Sequence, residues 1–185
     1  MGPIEGTDDL LRKIRNFEER SIEAEGLIIY CIEEMNLLLG WPLAHVFACL
    51  GEDLFSSGQR SFWRMHSRGG AKRGHIDCLK ALWPGTKLYP ESGVPWLAYA
   101  SAKPVWIEDI RQKPEADPTG ILEEARLRAA FAIPILGRRK ALGVIEWFHT
   151  EVREEEPALI ETGLLLGKQV GMLLESRKSR SRRAA

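Results

Sequence analysis

At 185 residues and 20.9 kDa the chain is long enough for one well-buried domain with extensions and too short for two ordinary ones. Its 26 basic and 26 acidic residues cancel, which argues against a nucleic-acid binder that works through a global positive field. With no uninterrupted apolar run of about 18 residues and no basic-then-apolar amino terminus, neither a membrane span nor a secretory leader is expected, and a cytoplasmic location follows. Cys31, Cys49 and Cys78 lie far apart and form no CxxC, so packed, reduced thiols are expected and no disulfide framework or zinc site.

Asp8 and Asp9 open a helix with an acidic first turn, as the helix dipole favours. Leu10, Ile14, Phe17, Ser21, Ala24, Ile28, Cys31, Met35 and Leu38 follow at spacings of four and three, which reads as one unbroken heptad seam. Gly40 ends the helix and Trp41-Pro42 forbids its continuation. Residues 9 to 39 as a continuous helix would run about 46 Å, against about 38 Å for the body of the molecule. The first turns should then overhang the sheet and leave Leu10, Ile14 and Phe17 to a partner.

Leu43 to Leu50 alternates as a strand, and a second strand is expected from Leu54 to Met65. Between Arg60 and Lys80 there are Arg60, Arg64, Arg68, Lys72, Arg73 and Lys80 against the acid Asp77. A solvated flank is the plainer explanation; an anion-facing rim is the alternative, because Trp63 and His66 stand among the arginines. A short helix at His75 to Trp83, a strand at Thr86 to Tyr89, a helix opened by Pro95 and closed before Lys103-Pro104, and a strand at Val105 to Ile110 come next. Pro114 to Thr119 is a loop and Gly120 to Arg128 a helical segment.

Ala129 to Leu136 and Ala141 to His149 form a β-hairpin through Gly137-Arg138-Arg139-Lys140, apolar on both parities and so covered on both faces. Pro134 lacks a ladder donor and should bulge its strand or leave that position unpaired. Glu154-Glu155-Glu156 before Pro157 starts a last helix with its own four-three seam through Leu159, Gly163, Leu166, Val170 and Leu173. The tail from Arg177 to Arg183 is basic and expected to fray.

Trp41-Pro-Leu-Ala-His-Val-Phe, the stretch from Gly93 to Ile110, Leu127-Arg-Ala-Ala-Phe-Ala-Ile-Pro-Ile, and Leu142-Gly-Val-Ile-Glu-Trp-Phe with the acidic helix start after it resemble the GAF domain of bacterial signalling proteins. The resemblance covers roughly residues 20 to 176. It implies an α+β fold: a six-stranded antiparallel sheet of order 3-2-1-6-5-4, long terminal helices on one face, and short helices and loops over a ligand pocket on the other. The division expected is a helical extension at 1–20, a GAF-like sensor domain at 21–176 and a tail or linker at 177–185. Function by resemblance is cytoplasmic signal transduction of the two-component type, with a small-molecule ligand and a kinase or cyclase output domain or partner.

The departures from liganded GAF members are informative. No cysteine here is followed by His, which argues against bilin, and the Asn-Lys…Phe…Asp-Glu signature of cyclic-nucleotide binders is not present. Free methionine sulfoxide reductases place cysteines around the third strand and the following helix, where Thr86 to Ala102 has none. His45, His66, His75 and His149 form no short ligand pattern, so neither a metal nor haem is supported, and no catalytic residue is assigned.

The pocket expected from the resemblance is lined by Trp63, Arg64, His66, Trp96, Tyr99, Trp106, Phe131 and Glu146, with the tryptophans as a flat apolar wall or as plain core filling. Glu146, between Ile145 and Trp147 in a buried strand, must find a partner or shift its pKa. It can pair with a strand arginine or histidine, or recognise a ligand's donor. Leu10, Ile14 and Phe17 with Leu166, Val170 and Leu173 are expected to make a parallel homodimer through a four-helix bundle. A ligand-free dimerisation or docking module and a small redox enzyme of the reductase type are the alternatives.

Overall fold

The computed structural model describes residues 2–18, 24–49, 59–65, 79 and 93–184, with side chains described over 2–16, 26–47, 79 and 93–176. Helices α1 (Thr7–Glu18) and α2 (Ala24–Leu39) precede strands β1 (Leu43–Cys49) and β2 (Gln59–Met65). Helix α3 (Val94–Ser101) leads into β3 (Val105–Ile107), two single 3-10 turns (Ile110–Gln112 and Pro114–Ala116) and the one-turn helix α4 (Ile121–Glu124). The hairpin β4 (Ala129–Leu136) and β5 (Ala141–His149) then feeds α5 (Pro157–Ala184).

Five described strands form one antiparallel sheet in the order β2-β1-β5-β4-β3. In the numbering expected from the sequence this is 2-1-6-5-4. The sixth strand, at Thr86 to Tyr89, and the helix at His75 to Trp83 fall outside the described residues apart from Leu79. Strand parity divides the sheet cleanly. Ala44, Val46, Ala129, Phe131, Ile133, Ile135, Ile145 and Trp147 face a core shared with α1, α2 and α5. Leu43, Ala130, Ala132, Val144 and Phe148 face a second core with Val94 and Ala98 of α3, Leu79 and the 110–127 connection.

The two terminal segments are where the structure departs most from expectation. Lys13 Nζ lies 2.9 Å from Glu34 Oε2, whereas in one continuous helix those residues would stand about 31 Å apart. The chain folds back, and α1 packs antiparallel on α2 instead of overhanging the sheet. Leu10, Ile14, Leu166, Val170 and Leu173 are all buried in the chain's own core, at 4%, 0%, 0%, 0% and 7% exposure. They are not an open seam, and the side chain of Phe17 lies outside the described set. Thr7 Oγ1 and Thr162 Oγ1, 3.0 Å apart and buried, fasten the start of α1 to α5, and the Ile4 N–H donates to Thr162 Oγ1 at 3.1 Å.

Helix α5 sits very close to β4, and its glycines are the reason. A Cβ added at Gly167 would stand 2.2 Å from the Pro134 carbonyl oxygen, one at Gly171 2.0 Å from that of Leu136, and one at Gly163 2.6 Å from the Ile133 side chain. Pro134 itself stays in register with Val144, and the ladder irregularity falls one step later, between Ile135 and Leu136. The helix also continues to Ala184, so the stretch from Arg177 to Arg183 is helical.

Local chemistry shortens two expected elements. β3 stops at Ile107 because Asp109 turns the chain: its carboxylate accepts from the Arg111 N–H at 3.2 Å and takes both Nε and Nη2 of Arg128, at 3.1 and 2.7 Å. The helical segment expected at 120–128 ends at Glu124, and Arg126 follows in the left-handed region at φ 58°. Elsewhere the punctuation acts as read. Gly40 closes α2 at φ 67° with its N–H on the Asn36 carbonyl at 2.9 Å, and Pro95 falls in the first turn of α3. Among the described residues no helix is long and apolar enough to cross a membrane.

Gly167→Ala should therefore cost about 1–3 kcal/mol, because backbone must move to admit the methyl. Met172→Ala, on the outer face of the same helix at 56% exposure, should stay within about 0.5 kcal/mol; urea unfolding reads both. Ile14→Ala should cost about 2–5 kcal/mol as a core truncation, with an unfolding midpoint that does not change with protein concentration. A midpoint that rises with concentration would return Ile14 to an intermolecular seam.

Candidate functional site

β1 and β5 are neighbours at the middle of the sheet, and their register sets His45 directly opposite Glu146. Both side chains point to the face away from the terminal helices, since Ala44, Val46, Ile145 and Trp147 take the other face. Nδ1 of His45 and Oε1 of Glu146 are 2.7 Å apart, and the residues are 1% and 0% exposed. The Phe47 ring meets the imidazole in a T-shaped contact with ring centroids 4.3 Å apart.

Burial sets the protonation of the pair. Desolvation pushes the His45 imidazole down, to about 3, and holds the Glu146 carboxyl well above its usual range. Both effects favour uncharged groups, so the carboxyl O–H donates to Nδ1 and the pair carries one proton. That leaves Oε2 of Glu146 as an acceptor, and it is buried with no hydrogen-bond partner among the described residues.

Helix α3 lies over this face. Val94 and Ala98 pack with Ala130, Ala132, Val144 and Phe148, and Tyr99 packs against the same cluster, with the Trp96 ring 5.7 Å from its own. The start of α3 is fixed by Gly93 at φ 76°, where an added Cβ would meet the Ala116 carbonyl oxygen at 2.3 Å.

Three of the expected pocket residues, Trp96, Tyr99 and Glu146, thus come to one side of the sheet. Trp63 and Arg64 hold the β2 positions opposite His45 and Ala44; their side chains and all of His66 lie outside the described set. Trp106 and Phe131 belong to the other side. Trp106, Phe131 and Trp147 are successive ladder partners across β3, β4 and β5; the Trp106 and Phe131 rings meet tilted at 5.1 Å, and the Phe131 and Trp147 rings stack at 5.7 Å. Trp41 joins them edge-on at 5.2 Å from Trp106, whose indole N–H donates to the Arg153 carbonyl at 2.9 Å. A single tryptophan-lined cavity is excluded by this arrangement, because Trp96 and Trp106 are separated by the sheet.

His45 is the residue that sequence reasoning left out of the site. Its signal was available in part: a lone polar side chain in one buried strand and a carboxyl in another are natural partners. Among the described residues no group of three or more His, Cys, Asp and Glu is placed to hold a metal ion. Cys31 is wholly buried on the helix side, where desolvation pushes its thiol pKa up and away from nucleophile chemistry. Cys49 pairs with Gln59 at the end of the β1–β2 ladder, and Cys78 lies outside the described residues.

No family model matches the chain, and no curated protein does. Solved structures do. The chain is similar to the GAF domain of an Acinetobacter phosphoenolpyruvate-protein phosphotransferase at 13% identity and TM-score 0.68, over 95% of this chain and 96% of that one. It is also similar to the free methionine-R-sulfoxide reductase of Neisseria meningitidis, solved with its substrate, at 14% identity and TM-score 0.69, over 97% and 92%. The GAF domain of nlh2 from A. aeolicus, in an inactive state, matches at 16% identity and TM-score 0.57, over 92% and 96%. The chain has the GAF fold.

The buried pair should leave a signature in the pH dependence of stability. Between the ordinary values of 4.5 for Glu and 6.5 for His, the unfolded chain holds one proton on this pair, as His⁺ with Glu⁻. The folded chain also holds one, so the pair contributes no slope there. Below pH 4.5 the unfolded state gains a second proton; above 6.5 it loses its last while the folded pair keeps one. Stability should therefore fall on both sides, at up to about 1.4 kcal/mol per pH unit. The difference in urea-derived stability between wild type and His45→Gln/Glu146→Gln should be flat from pH 4.5 to 6.5 and fall outside it; a difference that is flat from pH 3 to 9 would contradict the shared buried proton.

Proposed function

We propose that the chain is a regulatory sensor module of cytoplasmic signal transduction, which binds a small molecule over the His45–Glu146 face and transmits through its terminal helices to a kinase or cyclase output domain or partner. The observation that carries this reading is the wholly buried carboxyl at the middle of the sheet, one oxygen of which has no hydrogen-bond partner among the described residues. An acceptor in that condition is costly in a structural role, and a ligand donor would remove the cost.

The same strands supply a route outward. Glu146 lies between Ile145 and Trp147, which pack against α2 and α5 on the opposite face, and the Trp147 indole N–H donates to Asn36 Oδ1 of α2 at 2.7 Å. A shift of β5 by a bound molecule would move this bond. It would also move the β4 carbonyls on which the α5 glycines rest. Self-association, on this reading, uses the outer faces of α2 and α5, where Leu37 and Met172 are exposed, and not the buried residues Leu10, Ile14, Leu166, Val170 and Leu173.

A catalytic role is not assigned. The reductase likeness is one of fold, and Cys31 is inert by burial. Wild type should show no turnover of free methionine sulfoxide; turnover that disappears in Cys78→Ser would place the chain with the redox enzymes instead. Native mass spectrometry of the protein as purified tests the sensor reading itself. A fixed mass excess released on denaturation is expected. Apoprotein alone, with no small molecule in a metabolite panel raising the unfolding temperature, would leave a ligand-free docking module as the function.

A further inference from the structure

We infer that the site takes a neutral, largely apolar molecule that presents a single N–H or O–H donor to Oε2 of Glu146. This rests on the sensor reading and adds to it the chemistry of the ligand's inner end. Glu146 has two oxygens in different conditions. Oε1 is held by His45 Nδ1 at 2.7 Å, and Oε2 is buried with no described group donating to it. What the site lacks is therefore one donor, and it lacks it at a known atom.

The walls decide the charge of the molecule that brings that donor. On the same face as Glu146 stand Val144 and Phe148 on its own strand, Leu43 on β1, Ala132 opposite it on β4 and Ala98 of α3, all apolar and buried. An anionic group placed here would set its own lone pairs against Oε2, with no described cation on these walls to answer them. A cationic group would require Glu146 to ionise, and burial in apolar surroundings opposes that. A neutral donor needs neither change. It satisfies Oε2 while the carboxyl proton stays on the bond to His45, and the remainder of the molecule meets apolar surface.

Four probes of similar size separate these cases: indole, 1-methylindole, benzamidinium and benzoate, titrated by calorimetry into the full chain. The matched pair differs by the one donor. Indole should bind wild type about tenfold more tightly than 1-methylindole, with benzamidinium and benzoate no tighter than 1-methylindole. Glu146→Gln should keep the preference, because its amide N–H donates to Nδ1 and its carbonyl stays in the place of Oε2. Glu146→Leu should bring indole down to the level of 1-methylindole, and since the wild-type comparison already carries the test, poor folding of that variant would not blunt it. Equal binding of indole and 1-methylindole to wild type would overturn the inference while leaving the sensor reading in place. So would benzamidinium binding most tightly and losing that advantage in Glu146→Gln, which would mark a carboxylate reading a cation. No binding by any of the four overturns it as well, and with apoprotein alone in the mass spectrum the sensor reading falls with it.

Discussion

A buried carboxyl group held at the centre of a sheet, with an imidazole as its partner, is the condition that the neighbouring structure has to meet. An ionised carboxylate in that position would cost several kcal/mol more than a neutral one. The strands of the middle ladder deliver His45 and Glu146 to the same point from opposite directions, so one shared proton serves both. The arrangement holds only while the residues above and below on that face are apolar, and Leu43, Val144, Phe148, Ala130 and Ala132 are. The pair thus specifies the register of β1 on β5: a slip of one residue would turn Glu146 into the core against α2 and α5.

The opposite face of the same strands is built for contact with helices. The ladder of Trp106, Phe131 and Trp147 lies on it, and Gly163, Gly167 and Gly171 of α5 let the helix close on Phe131 and on the β4 backbone. A helix and strand whose backbones stand this close have little room for independent movement of β4 and α5. A displacement of the hairpin is then a displacement of α5. On the proposed sensor reading, that coupling would let the His45–Glu146 face and the helical face, which belong to the same strands, move together.

Much of the fold was legible because its signals are local. The hairpin from Ala129 to His149, the stop at Gly40 and the start at Pro95 each depend on a few neighbouring residues and a known backbone preference. What was misread depends on partners far along the chain. A four-three apolar seam looks the same in one long helix as in two that fold back on each other, so Leu10 and Ile14 gave no hint that Leu166 and Val170 of the same chain would cover them. Trp106 and Phe131 could be assigned to a face only from the register of three strands. Glu146 stood out as a carboxyl in an apolar strand, yet its partner, His45, is 101 positions away and only the ladder brings it close.

Magnetic resonance of the protein with labelled histidine and glutamate side chains at pH 6 reaches the central claim most directly. The account predicts an imidazole of His45 protonated at Nε2 alone, with Nδ1 accepting, and a Glu146 carboxyl carbon at the position of the acid form. A doubly protonated imidazole beside a carboxylate would contradict it, and would make Oε2 a charged atom looking for a cation.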